Sequence, residues 1–126
     1  CAEAMAFYQS CLGGDLTITN RIELPMKAQW SPEKHNRVVH ARLKSDRIDL
    51  TATDWLHPTR APHRGNMVAL YIHSATYSEL KDIFDKLSAG ADKTLLDPLR
   101  DMPFGAYGHL ADAYGVHWFF QGERSA

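Results

Sequence analysis

"FYQSCLGGDLTI" (residues 7–18) and "FDKLSAGADKTL" (residues 84–95) decide how this chain folds. With Phe7 set against Phe84, Gly13 meets Gly90 and Asp15 meets Asp92 without a gap. Each stretch reads as the end of a helix, a glycine that stops it, and an aspartate that opens a strand. Repetition of that punctuation points to a duplicated unit.

The flanking sequence carries the same order outward. In "AEAMAFYQSCL", Met5, Tyr8 and Leu12 stand at i, i+3 and i+7 with Ala4, Phe7 and Cys11 beside them, a broad apolar helical face. Thr76 and Glu79 form a T-x-x-E capping box. Leu80, Ile83, Phe84 and Leu87 then repeat at helical spacing and predict a helix over 76–88. Strands are predicted at "DLTITNRIEL" (15–24, interrupted around Thr19–Arg21), "RVVHARL" (37–43) and "RIDLTATD" (47–54). A second set falls at "NMVALYIH" (66–73), "DKTLLDPL" (92–99), "YGHLAD" (107–112) and "VHWFFQ" (116–121). A short helical turn is expected at "SPEKHN" (31–36). The second unit therefore reads strand, helix, three strands. The first lacks its opening strand and starts in helical pattern at Cys1, so a preceding segment is expected to be missing.

A chain of 126 residues fits one domain. It divides into module one at 1–54, a linker at 55–65 ("WLHPTRAPHRG") and module two at 66–122. Lys and Arg number 14 against 15 Asp and Glu, a net charge of -1 with no basic stripe, which argues against nucleic acid as a partner. No apolar run approaches the ~20 residues of a membrane span, and no secretory pattern is visible. Cys1 and Cys11 lie ten residues apart on one helix and cannot reach each other. Reduced thiols and a cytoplasmic setting are expected.

Four segments, "CAEAMAFYQSCLGGDL", "VVHARLKSDRIDLTATD", "GNMVALYIHS" and "FGAYGHLADAYGVHWFF", resemble the vicinal oxygen chelate superfamily of glyoxalase I and the bleomycin-resistance proteins, and within it the PhnB-like branch. The resemblance covers nearly the whole chain in order. It implies an α+β fold of two βαβββ modules, whose mixed sheets curl into a ligand-holding cup with helices outside. It also implies a homodimer.

Active members of the superfamily hold a divalent metal at the floor of the cup, on ligands from the first and last strand of each module. Three of those positions fall within this sequence. "IDLT" resembles a glyoxalase "IELT" segment and puts Asp49 at a ligand position; "GNMVAL" puts Asn66 where a histidine would sit. Counting from Gly115, Phe119 takes the place of a final glutamate. One acid, one amide and one ring supply too little charge and too few donors for a tightly held divalent cation. No cofactor is therefore expected, and the site is read as a pocket.

Strand alternation sorts its walls. Asp49, Thr51 and Thr53 share a face, as do Asn66, Val68 and Leu70, and His117, Phe119 and Gln121. On "RVVHARL" the polar set of Val38, His40 and Arg42 is assigned to the cup, opposite Val39, Ala41 and Leu43. The ligand-contact set is thus His40, Arg42, Asp49, Thr51, Asn66, His117 and Phe119. Each has a plainer alternative: His40 and His117 as structural histidines, Arg42 in a surface ion pair. His73 reads as a boundary residue, and the face that His109 shares with Tyr107 is left open. Trp118 and Phe120 read as core against a helix. His35, His57 and His63 lie in polar loops at spacings that match no metal motif.

The function expected is small-molecule binding without a catalytic metal, in a cytoplasmic homodimer that contacts neither nucleic acid nor membrane. The alternative is a metal-dependent lyase, isomerase or dioxygenase of the glyoxalase type, with Asp49 and His40 or His117 in a displaced site. A third possibility, a protein-interaction scaffold, predicts a cup closed by side chains. The methyltransferase label carried by some PhnB-like proteins does not transfer, because no glycine-rich strand–helix turn for a nucleotide-like cofactor exists here. Nor does any G-x-S-x-G elbow support a serine nucleophile.

Overall fold

A computed structural model describes residues 1–19, 37–55, 59–63, 65, 67–74 and 76–125. The chain divides into two compact units, Cys1–His63 and Arg64–Ala126. Among the described residues both are α+β, each a helix with its own sheet. No helix is long and apolar enough to cross a membrane.

In the first unit α1 (Ala2–Leu12) precedes β1 (Asp15–Thr19), β2 (His40–Lys44) and β3 (Asp49–Ala52). The three strands form an antiparallel sheet in the order β1-β2-β3. Helix α1 buries Met5, Tyr8 and Cys11 over β1 and β2. Alternation on β2 answers it: Ala41 and Leu43 are fully buried while His40, Arg42 and Lys44 are exposed on the other face. Both cysteines are free thiols. The turn at "SPEKHN" and the strand residues beyond Thr19 lie outside the described residues.

The second unit runs β4 (Leu70–Ser74), α2 (Tyr77–Leu87), β5 (Asp97–Met102), β6 (Gly105–Ala111) and β7 (His117–Gly122). Its strands lie in the order β4-β7-β6-β5, with β4 parallel to β7 and the other pairs antiparallel, so the sheet is mixed. Helix α2 carries the chain from β4 at one edge of the sheet to β5 at the other, and the antiparallel run β5–β6–β7 brings β7 back beside β4. The expected capping holds: Thr76 Oγ1 accepts from Glu79 N at 3.2 Å. Leu80, Phe84 and Leu87 of α2 are buried with Leu110, Trp118 and Phe120 of the sheet. Phe84 meets Phe120 edge-on at 4.9 Å between centroids, the arrangement favoured by opposed ring quadrupoles.

Two expectations need correction. Gly13 and Gly90 do match in taking positive φ, 75 and 74, which glycine adopts at no steric cost; Gly13 caps α1 directly, whereas α2 is capped at Ser88, two residues before Gly90. Asp15 opens β1 as expected. Asp92 does not open a strand. Its carboxylate accepts from Thr94 N at 2.9 Å and Thr94 Oγ1 at 2.6 Å, and this local turn draws Lys93–Leu95 into one turn of 3-10 helix. The strand begins only at Asp97, so "DKTLLDPL" is half turn and half strand.

The second correction concerns β4. Its first paired residue is Leu70, opposite Trp118, and Ile72 lies opposite Phe120. Both share the face that packs on α2. Leu70 therefore does not share the face of Phe119; Tyr71 does. Parity counted from Asn66 fails because Met67, Val68 and Ala69 precede the paired strand, and alternation has meaning only within it. Asn66 itself lies outside the described residues.

Candidate functional site

The residues singled out by sequence fall into two groups, one on each unit. On the first, β1, β2 and β3 present one polar face. Their register sets Thr17 against Arg42, Arg42 against Thr51, and Thr19 against His40. Arg42 grips Asp49 with two hydrogen bonds, Nε to Oδ1 at 2.8 Å and Nη2 to Oδ2 at 2.7 Å. Lys44 Nζ stands 3.6 Å from the same carboxylate. The Arg42 hydrogen bond is the largest influence holding the Asp49 carboxyl at about 2, and Lys44 adds to it. His40 and Thr51 stand exposed on the same face. Arg42 is thus occupied by an ion pair, the plainer of its two readings.

This pairing bears on the metal that the sequence resemblance implies. A cation at Asp49 would have to displace a guanidinium from both oxygens and then share the carboxylate with two positive side chains. Phe119, at the other described position, has no donor atom. The described members of that set do not fit a divalent metal. Among the described residues no three His, Cys, Asp or Glu side chains converge as metal ligands.

On the second unit, the sheet face turned away from α2 carries rings. Phe119 lies at its centre, level with Tyr71 of β4 and His109 of β6. Tyr71 is parallel to Phe119 at 5.4 Å and to His73 at 5.1 Å. His109 lies 4.6 Å from Phe119, and Tyr107 lies 6.1 Å from it. His117 joins this face, with Nδ1 3.1 Å from His109 Nε2. His109 Nδ1 in turn faces Asp97 Oδ2 at 3.7 Å. The Tyr107 phenol is pushed up, first by burial and then by the charges of Asp97 and Tyr71, with Arg100 opposing. A cavity of about 610 Å³ opens beside His117, walled by Leu95, Ala111 and Ala113 and edged by Asp92.

The turn between β6 and β7 makes this face possible. Asp112 is buried and fully used: Oδ1 accepts from Tyr114 N and Val116 N, and Oδ2 from Trp118 Nε1 at 2.7 Å. Asp112 N donates to Val116 O at 2.9 Å, and Gly115 takes φ 83. The closed turn pairs Ala111 with His117 and His109 with Phe119, and so sends both histidines to one side. It sends Trp118 and Phe120, as expected, into the core.

His117 and Phe119 thus meet on one face, while His40, Arg42, Asp49 and Thr51 meet on another. Sequence reasoning missed Tyr71, Tyr107, His109 and Asp97. The first was readable from "LYIH", where Leu70 and Ile72 alternate with Tyr71 and His73. His109 was readable by counting back across the "DAYGV" turn. Asp97 was not, because the β5–β6 pairing shifts register between Asp97 and Arg100.

Comparison with known proteins places this architecture. No protein-family model matches the chain. Protein YjdN of Escherichia coli is 27% identical over 127 residues, covering 94% of this chain and 84% of its own length. Among solved structures, protein PA1353 from Pseudomonas aeruginosa is 26% identical with a TM-score of 0.77, over 98% of this chain and 90% of that one. A PhnB protein from Bacillus cereus, 24% identical, superposes with a TM-score of 0.67 over 96% and 89% of the two chains. The chain has a PhnB/YjdN-like fold.

Proposed function

We propose that this chain is a small-molecule-binding member of the vicinal oxygen chelate superfamily, in its PhnB-like branch. Its ligand lies against the ring-lined face of β4, β7 and β6, with no metal at the positions the superfamily uses. The observation that carries the reading is the array of Tyr71, Tyr107 and His109 around Phe119. A concave, largely apolar and aromatic lining with a few convergent polar groups is the usual composition of a small-molecule site, and the cavity beside His117 gives this face its concavity. The ion pair that occupies Asp49 and the ring at Phe119 support binding without the usual metal. A cytoplasmic homodimer belongs to the same reading, as does the absence of nucleic acid and membrane from its partners.

The test is a panel of small aromatic and oxo-acid compounds, titrated against the isotope-labelled protein and followed by NMR. Binders should perturb Tyr71, His109, His117 and Phe119, and Phe119→Ala should weaken them by about tenfold, the loss of one good ring contact. Elemental analysis of protein purified without chelators provides the counter-test. A stoichiometric transition metal, lost together with an activity on Asp49→Ala, would favour the glyoxalase-type enzyme instead. No binder on this face would leave the scaffold alternative.

A further inference from the structure

His109 and His117 are diagonal neighbours across the β6–β7 ladder, and their rings lie within 26° of parallel with centroids 5.2 Å apart. That separation is close to the 3.1 Å between Nε2 and Nδ1 plus the two ring radii. The nitrogens therefore meet edge to edge in the ring planes, as in an N–H···N hydrogen bond. Such a bond needs one proton between the two atoms and so admits two arrangements of neutral tautomers.

Asp97 distinguishes them. If His109 donated from Nε2, its bare Nδ1 lone pair would face the Asp97 carboxylate 3.7 Å away. If His117 donates from Nδ1, then His109 accepts at Nε2 and turns an Nδ1–H toward Asp97. Like charge opposes the first arrangement and opposite charge favours the second. The partner of one ring nitrogen decides which nitrogen carries the proton. In the favoured arrangement His117 Nε2 is bare, and among the described residues it has no hydrogen-bond partner. A proton arriving there puts a positive charge on the imidazole pair, which Asp97 offsets from β5.

We propose that Asp97, His109 and His117 form a carboxylate–imidazole–imidazole chain that makes His117 Nε2 the base of the site, and that its ligand is a planar weak acid, a phenol or an enol. The inference rests on the ring-lined face being the binding site. Phe119, Tyr71 and Tyr107 take the flat body by stacking, and His117 takes the acidic proton. One ligand O–H bond breaks and one N–H bond forms at Nε2; the electron pair stays on the ligand oxygen, which remains beside the imidazolium as its counter-ion. The other charged and titratable groups around the pair are Asp97 and Arg100 on β5, Tyr107 on β6, and Tyr71 and His73 on β4. Asp92 and Asp112 edge the cavity beside His117.

4-Nitrophenol tests the proposal, because it is flat, weakly acidic and coloured only when ionised; nitrobenzene is the same shape without the proton. In buffer about one pH unit below the probe's own pKa, adding the intact protein should raise the phenolate band. His117→Gln and His109→Gln should lower the ionised fraction of bound probe about tenfold, one pKa unit of lost proton affinity, and should weaken 4-nitrophenol more than they weaken nitrobenzene, whose loss reports only the ring contact. Asp97→Asn should act in the same direction. Nitrogen-15 NMR of the free protein should find the neutral rings protonated at Nδ1 in both His109 and His117. The opposite tautomer, or 4-nitrophenol bound without ionising, overturns the proposal while leaving the binding face intact. If neither probe binds the face, and Phe119→Ala changes nothing, both readings fall.

Discussion

Trp118 donates its indole N–H to Asp112 Oδ2 at 2.7 Å, and the two are 3% exposed. A buried carboxylate is tolerable only when its charge is met by donors, and here three converge on it. The same contact fixes the turn that sends His109 and His117 to one side of the sheet. It therefore links the core of the second unit to its candidate site.

Removing that carboxylate should be severe. Asp112→Ala takes the carboxylate from the buried Trp118 indole N–H and from two half-buried backbone N–H groups of the turn, at about 2–4 kcal/mol for lost hydrogen bonds to a charged acceptor. Urea denaturation followed by tryptophan fluorescence would measure it. A loss under about 1 kcal/mol would mean that water replaces the carboxylate.

Two glycines should respond differently to alanine. Gly105 holds φ 132, and a Cβ there would collide with the carbonyl oxygen of Gly122 across the ladder. Gly13 holds φ 75, with nothing within 4 Å of a built Cβ. Gly13→Ala should cost only the backbone term of its positive φ with ψ -171, about 1–3 kcal/mol. Gly105→Ala should exceed it, because strand β7 must also move. Equal shifts in denaturation midpoint would contradict the difference.

The Arg42–Asp49 pair should be visible as a titration. The folded carboxyl sits at about 2, below its ordinary 3.8. Its contribution to stability is therefore complete above the unfolded value and disappears as the pH falls through about 2. Carbon-13 NMR of Asp49 should place the midpoint there, and Arg42→Gln should move it back toward the ordinary range. No movement in that variant would assign the shift to Lys44 instead.

Tyr107 should titrate above its ordinary value of 10.0. Its neutral form is favoured in the fold by burial first and by Asp97 and Tyr71 after it. Stability linked to this group is present below the unfolded value and declines as the pH rises past it. Asp97→Asn should bring the phenol's NMR titration to lower pH. An unchanged midpoint would remove Asp97 from the causes and leave burial and Tyr71.

Much of the fold was legible in the sequence because it depends on local chemistry. The T-x-x-E at Thr76 specifies a cap, the spacing of Leu80, Phe84 and Leu87 specifies a helix face, and Gly13 and Gly90 supply the positive φ at or just beyond each helix end. Where two local signals competed, as at Asp92, the side-chain turn prevailed over extension and the expected strand started late. The candidate site was legible only in part. His117 and Phe119 followed from Gly115 by counting within one hairpin, whereas the count from Asn66 crossed residues ahead of the paired strand and chose the wrong face.

The sequence by itself determined the two α+β units, the faces of their helices, and the ring at Phe119. Tertiary structure alone decided who those side chains meet. Tyr71 comes to Phe119 because the β5–β6–β7 run returns across the sheet to lay β7 parallel to β4, and Asp97 comes to His109 through an irregular β5–β6 register. Helix spacing and turns are set by interactions a few residues long. Pairing between distant strands is set by the burial of a whole sheet face, and no short stretch such as "FDKLSAGADKTL" contains it.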